Sequence, residues 1–414
     1  MSGEQFIGLK SLFSGFDRDL KLLLFSMASR RLVLGFLQVV RAIYFAILGF
    51  KPITIGFLLS IATLASALHH ILFGTLSDRF GRKPFLLLGG IFSTARIVIF
   101  ATNTDFWLLS VAQAMGGFGE GAGAGQPVVS GYITDKTEDE QRASVFSTLA
   151  IINAIATTLG SLMAALPVYF QESTHLNAVE AHSMLFWIGV LLSAVSLILV
   201  VPIRESLPKR RIVGRITEEK RAVQTIYHKV IIRFSLVRSI SGLGWGLIES
   251  FLPLYFFMRF GVGSEVLGPI YALTRFASIF SYFFVPDIVR RFGELNTIIL
   301  SRFLTACLTA AFSLTNSYLL AVMLLILFRT LVLFTMPIRQ TFATFIVEPE
   351  RTATAIGISN FSRMTVRSVA PTLTGYLFET LSLSLPFLIG AGLMAANGIL
   401  YRLFFQHKAA NSKP

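Results

Sequence analysis

Charge is what this 414-residue chain has least of: 14% of its residues are Asp, Glu, Lys or Arg, against 54% hydrophobic, and the mean hydropathy is +0.70. Soluble domains carry roughly 25% charged residues, so a fold surrounded by water is excluded. Cysteine is nearly absent as well. The single Cys307 lies in an apolar run, which rules out an internal disulfide and argues against thiol chemistry or a cysteine-bound metal cluster. Acidic residues number 22 against 36 basic ones, a net charge of +14. The excess does not read as a nucleic-acid surface, because the Lys and Arg residues are spread over short loops and not gathered into a patch with interleaved aromatics. The lipid headgroups of a membrane account for them better, and no nucleic-acid partner is expected. No cleavable leader is visible, since Met1 to Leu20 is mixed and polar. Protease, catalytic-triad and deaminase spacings are missing, so neither catalysis nor a cofactor is expected. His69 and His70 are adjacent, about 100° apart on a helix, and cannot grip one metal together.

What the chain does have is long apolar runs. A helix needs about 20 such residues to cross a bilayer. On that basis the sequence divides into twelve spans near 29–50, 54–76, 84–101, 106–134, 142–167, 183–203, 230–258, 265–287, 296–315, 317–346, 352–379 and 384–406. The expected fold class is therefore an all-α membrane protein. On one side fall Arg79, Arg82, Lys83, Lys136, Arg142, Arg290, Arg291 and Arg351, with eight Lys or Arg between Arg204 and Lys229; the opposite loops hold only Lys51 and Arg259. The positive-inside rule makes the first side cytoplasmic, and both termini with it.

The polar connector 204–229, with Pro208, Gly214 and Lys209-Arg210-Arg211, is the clear boundary. It separates a first half, 29–203, from a second, 230–406, with a cytoplasmic segment 1–28 before them and a tail 407–414 after. The halves repeat. Gly49 and Gly261, Gly56 and Gly268, and Arg79-Phe80-Gly81 and Arg291-Phe292-Gly293 all recur at a spacing of 212 residues.

Between spans 2 and 3 stands Gly74-Thr75-Leu76-Ser77-Asp78-Arg79-Phe80-Gly81-Arg82-Lys83-Pro84, a charged turn that cannot lie in hydrocarbon. Gly74 and Gly81 allow a tight reversal, Asp78 is placed to cap a helix, and Arg79, Arg82 and Lys83 suit anionic headgroups. With Gly74, Leu76, Asp78, Arg79, Gly81, Arg82 and Lys83 at every fixed position, the turn resembles the signature loop of the major facilitator superfamily. The resemblance implies two pseudo-symmetric six-helix bundles around a central cavity, rocking so that a midplane site faces each side in turn. It also places Asp78 near the start of span 11, about Thr352 to Ile356, where a carboxylate steadies one conformation. The second copy of the turn has Arg290 where Asp78 stands. Two further loops, with Asp135 and Arg142 after span 4 and Glu348 and Arg351 after span 10, supply acids that could bridge to Arg82, Lys83 and Arg291 on closure.

In that family, spans 1, 4, 7 and 10 line the cavity. Here each carries a deep ionisable residue: Arg41, Glu120, Glu249 and Arg329. At a rise of about 1.5 Å per residue, Arg41 and Glu249 lie roughly 12–15 Å from the external ends of their helices. A charge there costs about 2.5–3.5 kcal/mol even on a lenient scale, so it must face water or a partner. One alternative is simple pairing, Arg41 with Glu120 and Glu249 with Arg329, to hold helices together. Arg275, Arg363 and Arg367 tip the balance, because they are deep too and bring five arginines against two glutamates. Arg363 and Arg367 share one helical face, as a fork for carboxylate or phosphate requires.

The expected partner is a small organic solute, anionic in character because surplus fixed positive charge attracts anions. Protons are the candidate coupling ion, through Glu249 first, where Gly242, Gly244 and Gly246 lend flexibility, and Glu120 second. Gln38, Gln126, Trp245 and Tyr255 are candidate polar or stacking contacts. Glu120 sits in Gly116-Gly117-Phe118-Gly119-Glu120-Gly121-Ala122-Gly123, which weakly resembles span 4 of the spinster-like branch, although Gln113 stands where that motif opens with Arg. Arg96 and Arg302 read as structural. The alternatives to an anion transporter are a lipophilic-cation efflux pump, which lacks its usual Gly-Pro motif in span 5 here, and a non-transporting sensor. The expected setting is a monomer in the plasma membrane.

Overall fold

The computed structural model describes residues 16–116, 125–205, 220–346 and 352–410, and among these every regular element is a helix. The helices make twelve spans. Span 1 is Arg18–Ile47, span 2 Pro52–Phe80, span 3 Lys83–Thr102, span 4 Phe106–Met115 with Gly125–Lys136, span 5 Asp139–Met163 with Leu166–Thr174, and span 6 Ala178–Val200. Span 7 is Lys220–Glu249 with Leu252–Phe260, span 8 Ser264–Phe283 with Val285–Phe292, span 9 Glu294–Leu314, span 10 Tyr318–Ile346, span 11 Thr352–Thr380 and span 12 Leu385–Ala410. Among the described residues, 9 helices are long and apolar enough to cross a bilayer. Span 11 is not one of them, although it is 29 residues long. Its Thr, Ser and Asn residues and two arginines suit a helix that faces protein or water in place of lipid.

Local chemistry sets the ends and the breaks. Asp105 opens span 4 by accepting from the N–H groups of Trp107 and Leu108, and Asn177 with Glu180 forms a reciprocal capping box before span 6. Spans 5, 7 and 8 are interrupted just before Pro167, Pro253 and Pro286, each within the first two positions of the following helix, where the missing N–H costs nothing. Span 1 begins earlier than the apolar run suggests. Leu20, Leu23, Leu24 and Met27 are buried against Phe73, Leu86, Val128, Tyr132 and Val200, so the amphipathic start of the helix belongs to the packed core.

Two compact units are present. One takes in the described residues of Met1–Gln38 and Leu68–Arg211, the other those of Val39–Ala67 and Ile212–Pro414. In the first, spans 1 and 5 cross at Gly35 and Gly160, where any side chain would meet the facing backbone at Thr157 and Leu32. In the second, Gly242 lies against the backbone and side chain of Arg363, and Gly246 against Arg367 and Ala370, which joins span 7 to span 11. The same unit holds span 2 to span 11: Gly56 faces the Pro371 carbonyl, Gly375 faces that of Pro52, and Ser60 Oγ accepts from the N–H (3.1 Å) and hydroxyl (2.7 Å) of Thr372.

The 212-residue period reappears in the backbone. Among the described residues the glycines with positive φ are Gly49 (84°), Gly81 (96°), Gly261 (66°) and Gly293 (77°), which are two pairs at that spacing. Each pair ends equivalent helices in a conformation that a side chain disfavours.

Candidate functional site

Span 7 breaks at Glu249. Pro253 has no N–H to offer the carbonyl of Glu249, four residues back, and the helix restarts at Leu252. The carboxylate at this break meets Arg329 of span 10 through both of its oxygens, Oε2 at 3.1 Å from Nη1 and Oε1 at 3.0 Å from Nη2. Arg329 is 5% exposed and its guanidinium carbon lies 4.0 Å from the centre of the Tyr271 ring on span 8. A bidentate pair stacked on an aromatic face fixes the guanidinium in both position and plane. Of the two pairings expected between deep charges, this one forms. The other cannot be described, because Glu120 lies outside the described residues.

Arg363 and Arg367 are half-buried on span 11, and Arg363 Nε is buried without a hydrogen-bond partner among the described residues. Pro371 leaves the Arg367 carbonyl without its usual donor, and that carbonyl instead lies against Gly246. Arg367 is within electrostatic reach of Glu249, and Arg275 within reach of Tyr271, so these groups form one cluster inside the second unit. Arg41 is half-buried in the same unit, on the part of span 1 beyond Gln38. Gln38 is half-buried in the first unit, and Gln126 falls within a helix whose described features exclude its side chain.

Two expectations change. Gly242, Gly244 and Gly246 lie inside an unbroken helix and serve as contact points for spans 11 and 12; the helix breaks at Ser250–Phe251 instead. Tyr255 is fully buried among Phe256, Phe260, Phe312, Phe378 and Phe387, so it packs the bundle and offers no face to a solute. Trp245 is half-buried and packs one side on Ala306, Ala391 and Met394.

The charged turn is organised differently from its sequence reading. Asp78 caps nothing. It lies inside the last turn of span 2, mostly exposed, and pairs with Arg82 one turn on. Arg82 is buried and also donates to Ser77 Oγ (2.8 Å) and Asp135 Oδ2 (3.2 Å), so the acid after span 4 does meet the basic turn. The start of span 3 is capped from a distance by Glu205, whose Oε1 accepts from the N–H groups of Arg82 (2.7 Å) and Lys83 (3.1 Å). Gly81 sits under that carboxylate, with Glu205 Cδ 2.7 Å from where a Cβ would stand. Gly74 runs beside Pro127 at ordinary contact distance, Arg79 is exposed, and Arg142 donates to the carbonyls of Thr134 and Thr137. Arg291 stacks on Phe292. Glu348 lies outside the described residues.

A profile of the Major Facilitator Superfamily matches residues 22–371. The chain belongs to that family. The Major Facilitator Superfamily fold accounts for the twelve spans and the two related bundles, and the protein is a multi-pass membrane transporter. Among curated relatives, the quinolone resistance protein NorA of Staphylococcus aureus (strain MSSA476) is 23% identical over 402 residues, covering 95% of this chain and 98% of NorA. Among solved structures, the nucleoside transporter NupG superposes with a TM-score of 0.72 at 15% identity, covering 94% of this chain and all of that one. The human organic anion transporter MFSD10 (TETRAN) does so with a TM-score of 0.62 at 16% identity, covering 93% of this chain and 99% of that one.

Within this superfamily member, several polar groups escaped the sequence reading. Glu205 looked like one charge among many in a basic connector. Asp19, 5% exposed, accepts from Lys136 Nζ (3.1 Å) and the Arg204 N–H (3.2 Å) and ties the start of span 1 to the ends of spans 4 and 6. Arg30 donates to Ser196 Oγ (2.8 Å) and the Leu86 carbonyl (3.2 Å), and Arg31 to Asn153 Oδ1 (3.1 Å). Arg96 and Arg302 donate to neighbouring polar groups inside their bundles, Gln113 (3.3 Å) and Ser241 (2.9 Å).

Proposed function

We propose that this transporter carries a small organic anion by alternating access, with a proton as coupling ion. The observation that carries the reading is Arg367, half-buried on span 11 within electrostatic reach of the Glu249 carboxylate that pairs with Arg329, with Arg363 one turn away on the same face. An anion entering there meets the Arg367 guanidinium and can compete with Glu249 for Arg329, which is already held in place by Tyr271. Displacing Glu249 breaks the ion pair, and the coupling proton is proposed to bind the carboxylate so released. Solute binding and proton binding are then linked at one ion pair. Arg41, Arg275, Gln38, Gln126 and Glu120 are proposed to complete the site. The turn from Gly74 to Lys83, with Asp135, Arg142, Arg291 and Glu348, is proposed to govern closure on the cytoplasmic side.

The reading also places the protein in the plasma membrane as a monomer with both termini cytoplasmic. It has two halves, 29–203 and 230–406, joined by 204–229; the paired left-handed glycines support that division. A second reading, efflux of lipophilic drugs, is favoured by the full-length similarity to NorA. Reconstituted vesicles distinguish the two. Counterflow of an organic anion, weakened at least tenfold by Arg367→Gln while a neutral analogue is unaffected, supports the first. Flux of a lipophilic cation with no anion counterflow refutes it.

A further inference from the structure

Four arginines that no step above uses together converge in the second unit: Arg238 of span 7, Arg302 of span 9, Arg339 of span 10 and Arg363 of span 11. Each lies within reach of the charge of others in the group, and Tyr401 of span 12 faces three of them. At about 1.5 Å per residue, Arg339 stands roughly 10 Å from the end of its helix at Ile346, and Arg363 roughly 16 Å from the start of its own at Thr352. Arg302 stands roughly 12 Å from the start of its helix at Glu294, so these three share a layer two to three turns inside their helices.

Among the described residues, their hydrogen bonds go to neutral groups. Arg238 donates to Asn360 Oδ1 (2.8 Å), and Arg302 to Ser241 Oγ (2.9 Å) and Met394 Sδ (3.2 Å). Arg339 turns back on its own helix, to the carbonyls of Thr335 (3.2 Å) and Val332 (3.1 Å), and Arg363 Nε is buried with no partner. No carboxylate among the described residues pairs with any of the four. An apolar cluster of Phe234, Ile338, Phe342, Tyr401 and Phe405 packs around the layer and lowers the local dielectric, which makes uncompensated positive charge costly and an anion strongly held.

We propose that this layer binds a tetrahedral dianion of the phosphate type, so that the transported class narrows to solutes bearing such a group; this narrowing rests on the anion-transport reading above. A monocarboxylate neutralises one guanidinium. A phosphate group has negative oxygens pointing in several directions and can take a bidentate fork from more than one arginine.

The test uses the purified full-length protein, stripped of lipid and phosphate, with inorganic phosphate, sulfate and acetate as probes at equal ionic strength. Calorimetric titration is expected to register phosphate and sulfate but not acetate. Arg339→Gln and Arg238→Gln are each expected to weaken phosphate binding about ten- to a hundredfold, the loss of one charge-assisted contact. Arg339→Lys keeps the charge, guards against misfolding, and should recover part of the affinity. Equal binding of acetate, or phosphate binding indifferent to all three substitutions, overturns the proposal. In nanodiscs, competition by phosphatidic acid but not phosphatidylcholine identifies a lipid headgroup as the source of the same chemistry and overturns the narrowing to transported solutes. No competition supports a soluble ligand. Arginine-dependent phosphate binding without anion counterflow in vesicles removes the transport reading and keeps the site, whereas counterflow without phosphate binding does the reverse.

Discussion

Substituting Arg329 by Gln should destabilise the protein more than substituting its partner Glu249 by Gln. Removing one member of a buried pair costs about 3–5 kcal/mol because the other is left charged and dry. Two features reduce that here. The Glu249 side chain is 20% exposed, so water already screens part of the pair, and Arg329 keeps its contact with the Tyr271 ring at 4.0 Å. A desolvated cation–π contact is worth about 2 kcal/mol, which leaves a net loss of about 1–3 kcal/mol for Glu249→Gln. The converse change removes the ion pair and the Tyr271 stacking together, with nothing retained to offset the loss. The full cost of about 3–5 kcal/mol is therefore expected for Arg329→Gln. The double variant should fall short of the sum of the singles by at least about 1 kcal/mol, as coupled neighbours do. Thermal unfolding of the four proteins in detergent measures this cycle. Additive losses, or a larger loss for Glu249→Gln, would refute the argument that the pair is held by its charges and the stacked ring.

Gly81→Ala and Gly261→Ala should differ although both residues are left-handed. Gly261 has open space around it, so alanine costs only the backbone penalty of about 1–2 kcal/mol, while at Gly81 the new methyl also displaces Glu205. Equal melting temperatures would contradict this. Glu205→Gln should cost about 1–2 kcal/mol by weakening the cap on Arg82 and Lys83, visible as faster proteolysis at that turn. Gly160→Leu should prevent assembly of spans 1 and 5, because the side chain would enter the backbone of Leu32; a folded, monodisperse variant would show that the crossing can widen.

Much of the architecture was legible in the amino acids because a bilayer makes severe demands. Apolar runs of spanning length, a charged turn excluded from lipid and glycines at a fixed interval each have one physical interpretation, and the left-handed φ values of Gly49 and Gly261 bear out the last of these. The Glu249–Arg329 pair was legible for the same reason, since two deep opposite charges have few alternatives. Tertiary convergence was not. Arg238, Arg302 and Arg339 lie on three different spans, and nothing in their local sequence says that they face one another. Asp78 was misread because an acid next to a turn looks like a cap, while the acid that does cap the turn, Glu205, arrives from more than a hundred residues away. Tyr255 looked available because aromatic hydroxyls often serve ligands, but five neighbouring phenyl rings enclose it.

The meeting of span 2 with span 11 is made of main chain on main chain, at Gly56 with Pro371 and at Gly375 with Pro52, plus the hydroxyls of Ser60 and Thr372. Any step of the cycle that parts these two helices uncovers those peptide groups and breaks both hydrogen bonds from Thr372 to Ser60. The barrier to such a step should therefore carry the enthalpy of those two bonds, and Ser60→Ala should lower it.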